Sequence, residues 1–171
     1  KHTPEHEAKL FALDRLDHGL NWMLPRLSKG SVVVCDRNIH SSLVYQGIVG
    51  GLGTKNVGLL NSGALIPDLC VWVDCDPEIA IMRIRSGSLR EASPQKSEYF
   101  ETLEIQKKIR SGYEVVLSGQ SPTGTSFDTV RVVGPIRNES TVERFSNEVA
   151  QEVRKFLRLR PKPRNTYVHD V

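Results

Sequence analysis

The sequence lacks the features that mark membrane, secreted or metal-cluster proteins. No apolar run reaches the roughly 18 residues that a transmembrane helix needs, so we expect no membrane partner. The polar first residues contain no signal-peptide core. Three cysteines occur among 171 residues, each in an apolar run, and no Cys/His spacing predicts a metal site. We therefore predict a reducing, cytoplasmic environment.

The composition is that of an ordinary globular chain. With 39% hydrophobic and 25% charged residues, residues 1–171 are predicted to form a single domain. The net charge of +3 is concentrated in residues 154–171, where six basic residues face one acidic residue. We interpret this basic tail as a solvated helix end. Nucleic-acid binding is the less favoured alternative, since such a site would spread its charge over a face.

Strand and helix signals alternate along the chain. Apolar runs predict three strands, at 31–36, 69–74 and 129–133. Helix signals predict helices at 3–27, 77–85, 98–117 and 140–159. Thr3 should cap the first, which is interrupted near Pro25, Asp76 should cap the second, and a capping box at 140–143 should open the last. Residues 86–97 are polar and helix-poor, and we interpret them as a lid-like loop. This alternation predicts an α/β fold with a parallel sheet.

The first candidate site follows the first predicted strand. Asp36 and Arg37 emerge where the strand ends, which is where open α/β sheets bind ligands. A carboxylate after four apolar residues can hold Mg²⁺ directly or through water, and an arginine fork suits a phosphate. An ion pair or cap at the strand end would explain the same two residues.

The second candidate site lies on the first helix. Phe11 and Arg15 are one turn apart and share a face, so they could hold a flat heterocycle that carries carbonyl groups. On the pattern alone, a buried Phe11 with a solvated Arg15 is the favoured interpretation.

A third set is basic. Arg83, Arg85 and Arg90 surround the lid-like loop, which could close over phosphates. A solvated helix end accounts for them equally well.

The segment 119–126 imitates a phosphate-binding loop. Gly119 and Gly124 have the spacing of a P-loop, but Thr125 replaces the essential lysine and no amphipathic helix follows. We therefore reject it as a nucleotide site.

Several segments together resemble the thymidylate kinase family. Residues 10–15 read LFALDR, followed by His18, and residues 36–47 read DRNIHSSLVYQG. Both resemble long motifs of that family, and residues 67–80 resemble its PDL-to-DPE segment. The similar segments cover nearly the whole chain in the family's order.

The resemblance implies a three-layer, P-loop-kinase-like α/β fold and an ATP-dependent phosphorylation of dTMP to dTDP in dTTP synthesis. ATP is then the co-substrate, Mg²⁺ assists the transfer, and the partners are dTMP, ATP and a second copy of the chain. Positioning and charge neutralisation account for most of the catalysis in such a transfer.

The resemblance also implies residue roles. Phe11 would stack on thymine, Arg15 would bond the carbonyl edge of the base, and Arg37 would bind the dTMP phosphate. Asp36 would position Mg²⁺, through water, and the acceptor.

The remaining roles concern the sugar and the transferred group. Ser41 and Ser42 would lie along the nucleotide, and Tyr45 would sit near the sugar C2′ and disfavour ribonucleotides. Arg83 and Arg90 would clamp the transferring phosphoryl group of ATP.

Two departures leave alternatives open. Asn38 replaces the tyrosine that usually follows Asp-Arg in the family, so a related nucleotide or nucleoside kinase of altered specificity remains an alternative. The family begins with a strand and a G-x-x-x-x-G-K-S/T loop, which this sequence does not contain. We expect a segment of at least ~30 residues that supplies them upstream of residue 1. A catalytically inactive relative that only binds nucleotide is the other alternative.

Overall fold

A computed structural model describes residues 3–86 and 102–159. Within these two ranges, no helix is long and apolar enough to cross a membrane. Most of the lid-like loop, including Arg90, lies outside the described residues, as do the predicted start of the third helix at 98–101 and the tail beyond residue 159.

The chain begins with the predicted interrupted helix. Helix α1 (Pro4–His18) starts where the Thr3 hydroxyl accepts a hydrogen bond from the His6 amide, so the predicted cap is confirmed. A π-helical segment (Gly19–Met23) then leads into α2 (Leu24–Leu27). The interruption therefore precedes Pro25, which lies in the first turn of α2, where a missing amide proton is tolerated.

The strand predicted at 31–36 is absent, and this prediction was wrong. Residues 31–35 form neither helix nor strand, and Val34 is 87% exposed. A β-strand exists only when its backbone groups pair with a neighbour. Among the described residues no strand pairs with this run, so its β-branched valines alone do not make it a strand.

The helices between this run and the sheet pack around the core. They are α3 (Ile39–Ser42), a second π-helical segment (Leu43–Val49) and α4 (Thr54–Leu60). Helix α4 was not predicted, because three glycines precede it. The buried cluster comprises Ile39, Leu43, Val57, Ala64 and Phe127. Since three of its members come from this region, the core lies directly beneath the second motif.

Within the described residues the sheet consists of two parallel strands, β1 (Leu69–Asp74) and β2 (Arg131–Arg137). The parallel α/β prediction is therefore confirmed. Strand β1 has the predicted bounds, whereas β2 starts and ends later than expected and contains a cis bond at Gly134–Pro135. Leu69 pairs with Arg131 and Asp74 with Arg137, so both strands end at the same edge.

Three further α-helices lie in the described ranges: α5 (Pro77–Arg85), α6 (Leu103–Leu117) and α7 (Val142–Leu159). The Asp76 carboxylate accepts from the Glu78 amide at 2.9 Å, as a cap of α5 should. The capping box predicted at 140–143 was wrong: the hydroxyl of Thr141, not Ser140, caps α7 by accepting the Arg144 amide at 3.3 Å, and arginine cannot return the reciprocal bond. Either hydroxyl suits a cap, and the turn after β2 selects the second one.

Candidate functional site

Arg15 joins the two sequence motifs. Its guanidinium donates to the Ser42 hydroxyl at 2.8 Å and to the Asn61 side-chain carbonyl. Asn61 is itself buried, and its amide donates to the Val57 carbonyl at 2.8 Å. Burial lowers the pKa of Arg15, while Asp14 raises it. The planar fork is therefore fixed in place between α1, α3 and the end of α4.

Phe11 is not a core residue. It remains 46% exposed one turn before Arg15, so the interpretation of a buried Phe11 with a solvated Arg15 is wrong in both parts. Trp22, which continues the same stripe, is also exposed and lies under the Arg26 guanidinium at 3.8 Å from the ring centroid. An exposed aromatic face next to an anchored arginine suits a planar heterocycle.

Asp36 and Arg37 lie in a bend between the extended run and α3, and both are exposed. Arg37 has φ +68°, a left-handed conformation that side chains other than glycine adopt at a cost of about 1 kcal/mol. Its guanidinium carbon lies 5.2 Å from the centroid of the Tyr45 ring, within the range of a cation–π contact. Strain of this kind clusters at functional sites.

Asn38 caps α3 instead of facing outward as a ligand group. Its side-chain oxygen accepts the Ile39 amide at 2.8 Å, next to the turn of Ser41 and Ser42. The departure from the family's tyrosine thus has a local structural use. It does not by itself indicate a different acceptor.

Tyr113 of α6 is a site residue to which sequence analysis assigned no role. Its hydroxyl is hydrogen-bonded to the Ser41 hydroxyl at 2.8 Å, and its ring meets the Tyr45 ring edge-on with centroids 6.5 Å apart. Burial, the largest influence, raises the pKa of Tyr113, although the bond with Ser41 and the charge of Arg37 lower it. The net pKa lies above the ordinary value, so the phenol is protonated at neutral pH.

A second charged group lies where the two strands end. Asp74 is buried, accepts two hydrogen bonds from Arg110 at 2.9 and 2.8 Å, and pairs with Arg137 at 2.6 Å. Arg110 also reaches Asp76 at 3.5 Å. Sequence analysis identified none of these pairs, because their partners lie on β1, β2 and α6.

Arg83 belongs to this strand-end group. Its guanidinium donates to the backbone carbonyl of Asn138 at 2.7 Å. The backbone amide of Asn138 in turn donates to the backbone carbonyl of Asp74, also at 2.7 Å. The structure thus fixes Arg83 at the carboxyl edge of the sheet. Arg15 instead lies on α1, and Arg37 lies in the bend before α3. It does not describe Arg90 or the side chain of Arg85.

The loop at 119–126 is held by hydrogen bonds to a nearby carboxylate, that of Asp128. The Asp128 carboxylate accepts the amides of Thr123 and Gly124, each at 2.8 Å, and the Thr123 hydroxyl at 2.9 Å. Burial alone would raise the pKa of Asp128, but these hydrogen bonds offset it, and the pKa lies below its usual value. Its amide donors bind this internal carboxylate, consistent with the rejection of the segment as a P-loop.

Comparison with known proteins supports the resemblance in the motifs. The family model for thymidylate kinase matches residues 1–128. The thymidylate kinase of Shouchella clausii is 32% identical over 140 residues, which cover 80% of this chain and 64% of the relative. That of Geobacillus thermodenitrificans is 42% identical over 110 residues, or 63% of this chain and 48% of the relative. A Staphylococcus epidermidis thymidylate kinase is 40% identical over 115 residues, which cover 66% of this chain and 55% of the relative. The chain therefore spans about half to two thirds of the length of these relatives.

Proposed function

Since this chain belongs to the thymidylate kinase family, we propose that it binds dTMP and takes part in the ATP-dependent phosphorylation of dTMP to dTDP for dTTP synthesis. The observation that carries the proposal is the pair of hydrogen bonds from Arg15 to Ser42 and Asn61. These bonds bring the base-recognition helix and the phosphate-recognition segment together in one site, although the two motifs are separate in the sequence.

Base recognition falls to α1. Phe11 offers its exposed face to thymine, and Arg15 donates hydrogen bonds to the carbonyl edge of the base. Because Ser42 and Asn61 already hold the guanidinium, little side-chain entropy is lost when the base binds. A pyrimidine with carbonyl groups fits this donor fork, whereas the exocyclic amine of cytosine would oppose a donor.

Phosphate and sugar recognition fall to residues 36–45. Arg37 neutralises the dTMP phosphate from its strained backbone position above Tyr45. Ser41 and Ser42 lie along the nucleotide. The Tyr45 ring occupies the space beside C2′, so a 2′-hydroxyl would clash with it. Discrimination against ribonucleotides follows from that clash.

The co-substrates are ATP and Mg²⁺. No group of three or more metal-ligating side chains occurs within residues 3–86 and 102–159, and we propose a site that needs only one carboxylate from these residues. The exposed Asp36 fits this need, because Mg²⁺ in phosphoryl-transfer sites keeps several waters and takes its other ligands from the phosphates. The ion neutralises charge on those phosphates. Arg83 and Arg90 neutralise charge on the transferring group.

We also propose that the protein is a cytoplasmic homodimer of single-domain subunits. Leu10 and Leu13 on α1 are 49% and 63% exposed, a degree of exposure that supports contact with a second copy through this helix. Sedimentation equilibrium at two concentrations tests the assembly, and a monomer at both would refute it.

The proposed activity is tested by coupled ADP release with dTMP, UMP, CMP and AMP as acceptors. We expect dTMP to be preferred, and Arg15→Gln to lose most of that turnover. Arg26→Gln is the matched control, since Arg26 is a second arginine of the same helical region and its guanidinium stacks on Trp22. Equal use of several acceptors would favour the altered-specificity kinase, and thermal stabilisation by dTMP without turnover would favour the binding-only relative.

A further inference from the structure

Helix α6 packs against the second π-helical segment through a close contact at a glycine. A Cβ at Gly112 would lie 2.9 Å from Cγ1 of Val44, inside the normal contact distance. The neighbouring Ile109 is 5% exposed on the same side of the helix. The close approach places the next residue, Tyr113, directly against the segment that carries the proposed acceptor site.

Tyr113 makes two contacts there, and they involve different chemistry. Its hydroxyl is bonded to Ser41, 72 residues earlier in the chain, at 2.8 Å. Its ring meets Tyr45 edge-on, at an interplanar angle of 76°. Tyr45 in turn lies under Arg37. One side chain of α6 thus connects the serine, the sugar-facing tyrosine and, through it, the phosphate-facing arginine.

The contacts with Tyr113 restrain both Ser41 and Tyr45. Serine hydroxyls rotate freely, and a half-buried tyrosine ring can tilt about its χ1 and χ2 bonds. Discrimination against a 2′-hydroxyl depends on sub-ångström placement of the ring that excludes it. The residue that fixes the ring therefore sets how strictly the sugar is selected.

We propose that Tyr113 is a positioning residue of the acceptor site, whose hydroxyl orients Ser41 and whose ring sets the tilt of Tyr45 and thereby the preference for deoxyribonucleotides. This inference rests on the proposed dTMP-binding function. Tyr113 contacts other side chains and acts on the nucleotide through them. Its two contacts can be removed separately, because phenylalanine keeps the ring and leucine removes both.

The test compares Tyr113→Phe, Tyr113→Leu and the control Ser118→Ala in the purified protein. Ser118 is exposed on the C-cap of the same helix, and its hydroxyl donates to the Val115 carbonyl one turn earlier. We expect Tyr113→Phe to raise the dTMP KM by roughly two- to tenfold, the usual effect of one hydrogen bond, with kcat nearly unchanged. Tyr113→Leu should also lower the preference for dTMP over UMP severalfold. Ser118→Ala should change neither value.

A double-mutant cycle separates positioning from general stability. If Tyr113 acts through Ser41, the KM effect of Tyr113→Phe should nearly vanish in a Ser41→Ala background. Effects that simply multiply would overturn the proposal, as would an unchanged KM and acceptor preference in Tyr113→Leu. A fall in thermal stability with unchanged preference would show a purely structural role.

Amide hydrogen exchange of the ligand-free protein provides a second measurement that needs no turnover. We expect Tyr113→Phe to speed exchange over residues 39–47, and Ser118→Ala to leave it unchanged. Unchanged exchange in Tyr113→Phe would refute the positioning role even if the wild type neither bound nor phosphorylated dTMP. A wild-type protein that neither binds nor phosphorylates dTMP would refute the proposed function by itself, whatever the exchange experiment shows. The two failures are therefore distinguishable.

Discussion

Replacing Asp74 by asparagine tests how much of the fold depends on the charged group at the end of β1. The Asp74 carboxylate is only 6% exposed, and it pairs with Arg137 at 2.6 Å and with Arg110 at 2.8 Å. The pair between Lys155 and Glu152 on α7 has the same 2.6 Å separation, but Glu152 is 31% exposed and the lysine 54%. The two pairs thus have equal lengths but differ in the burial of the carboxylate, and Asp74 also holds a second arginine.

The magnitude follows from that difference. Removing one partner from a buried pair costs ~3–5 kcal/mol because it leaves a charge without compensation. Since Arg110 and Arg137 remain 31% and 54% exposed, water relieves part of this penalty, and we expect about 2–3 kcal/mol for Asp74→Asn. For a chain of this size each kcal/mol lowers Tm by roughly 2–4 °C, so Tm should fall by ~5–10 °C. Glu152→Gln should change stability by less than ~0.5 kcal/mol.

Urea denaturation followed by circular dichroism measures both variants, and a thermal scan checks the Tm. Sodium chloride should weaken the α7 pair more than the buried one, because exposed charges are screened most. A loss below ~1 kcal/mol for Asp74→Asn, or equal losses for the two variants, would refute the reasoning that burial decides the strength of these pairs.

Two further predictions follow from the strained arginine and a buried thiol. Because Arg37 has φ +68°, urea denaturation should show Arg37→Gly to be more stable than Arg37→Ala by about 1 kcal/mol. At Lys107, which is exposed within α6, the glycine variant should instead be less stable than the alanine variant by about the same amount. The same order of stability at both positions would contradict the strain at Arg37. Burial raises the pKa of the Cys70 thiol to about 11 from its usual 9.0, so the unfolded thiol ionises first and stability should fall as pH rises from 9 towards 11. The alkylation rate of Cys70, followed by mass spectrometry, should keep rising to about pH 11 in the native protein and level off near pH 9 in urea, and coincident profiles would exclude the shift.

Much of the local structure could be predicted from short stretches of sequence. Thr3 and Asp76 cap the helices that follow them, and β1 has the predicted bounds. Each of these features depends on residues within about four positions, which is the range of helix caps and strand runs. The long motifs likewise identified the family, because family-specific side chains occur at fixed spacings.

Other features failed where their cause lies elsewhere in the chain. The β-rich run at 31–36 is not a strand, since a strand depends on a partner as much as on its own residues. Helix α4 was not predicted because the glycines before it favour a loop, whereas the packing of Val57 in the core stabilises the helix. The interpretation of Phe11 as buried failed because a one-dimensional pattern cannot show which side of a helix the rest of the chain covers.

The sequence alone thus determined several helix caps, the bounds of β1 and the chemistry available: a stacking ring, an arginine fork, an Asp-Arg pair and two serines. Only the tertiary structure decided which of these groups act together. Arg15 meets Asn61 across 46 residues, and Ser41 meets Tyr113 across 72. Contacts at such separations depend on how whole helices pack, down to the missing Cβ of Gly112. Local propensity carries no information about packing at that range.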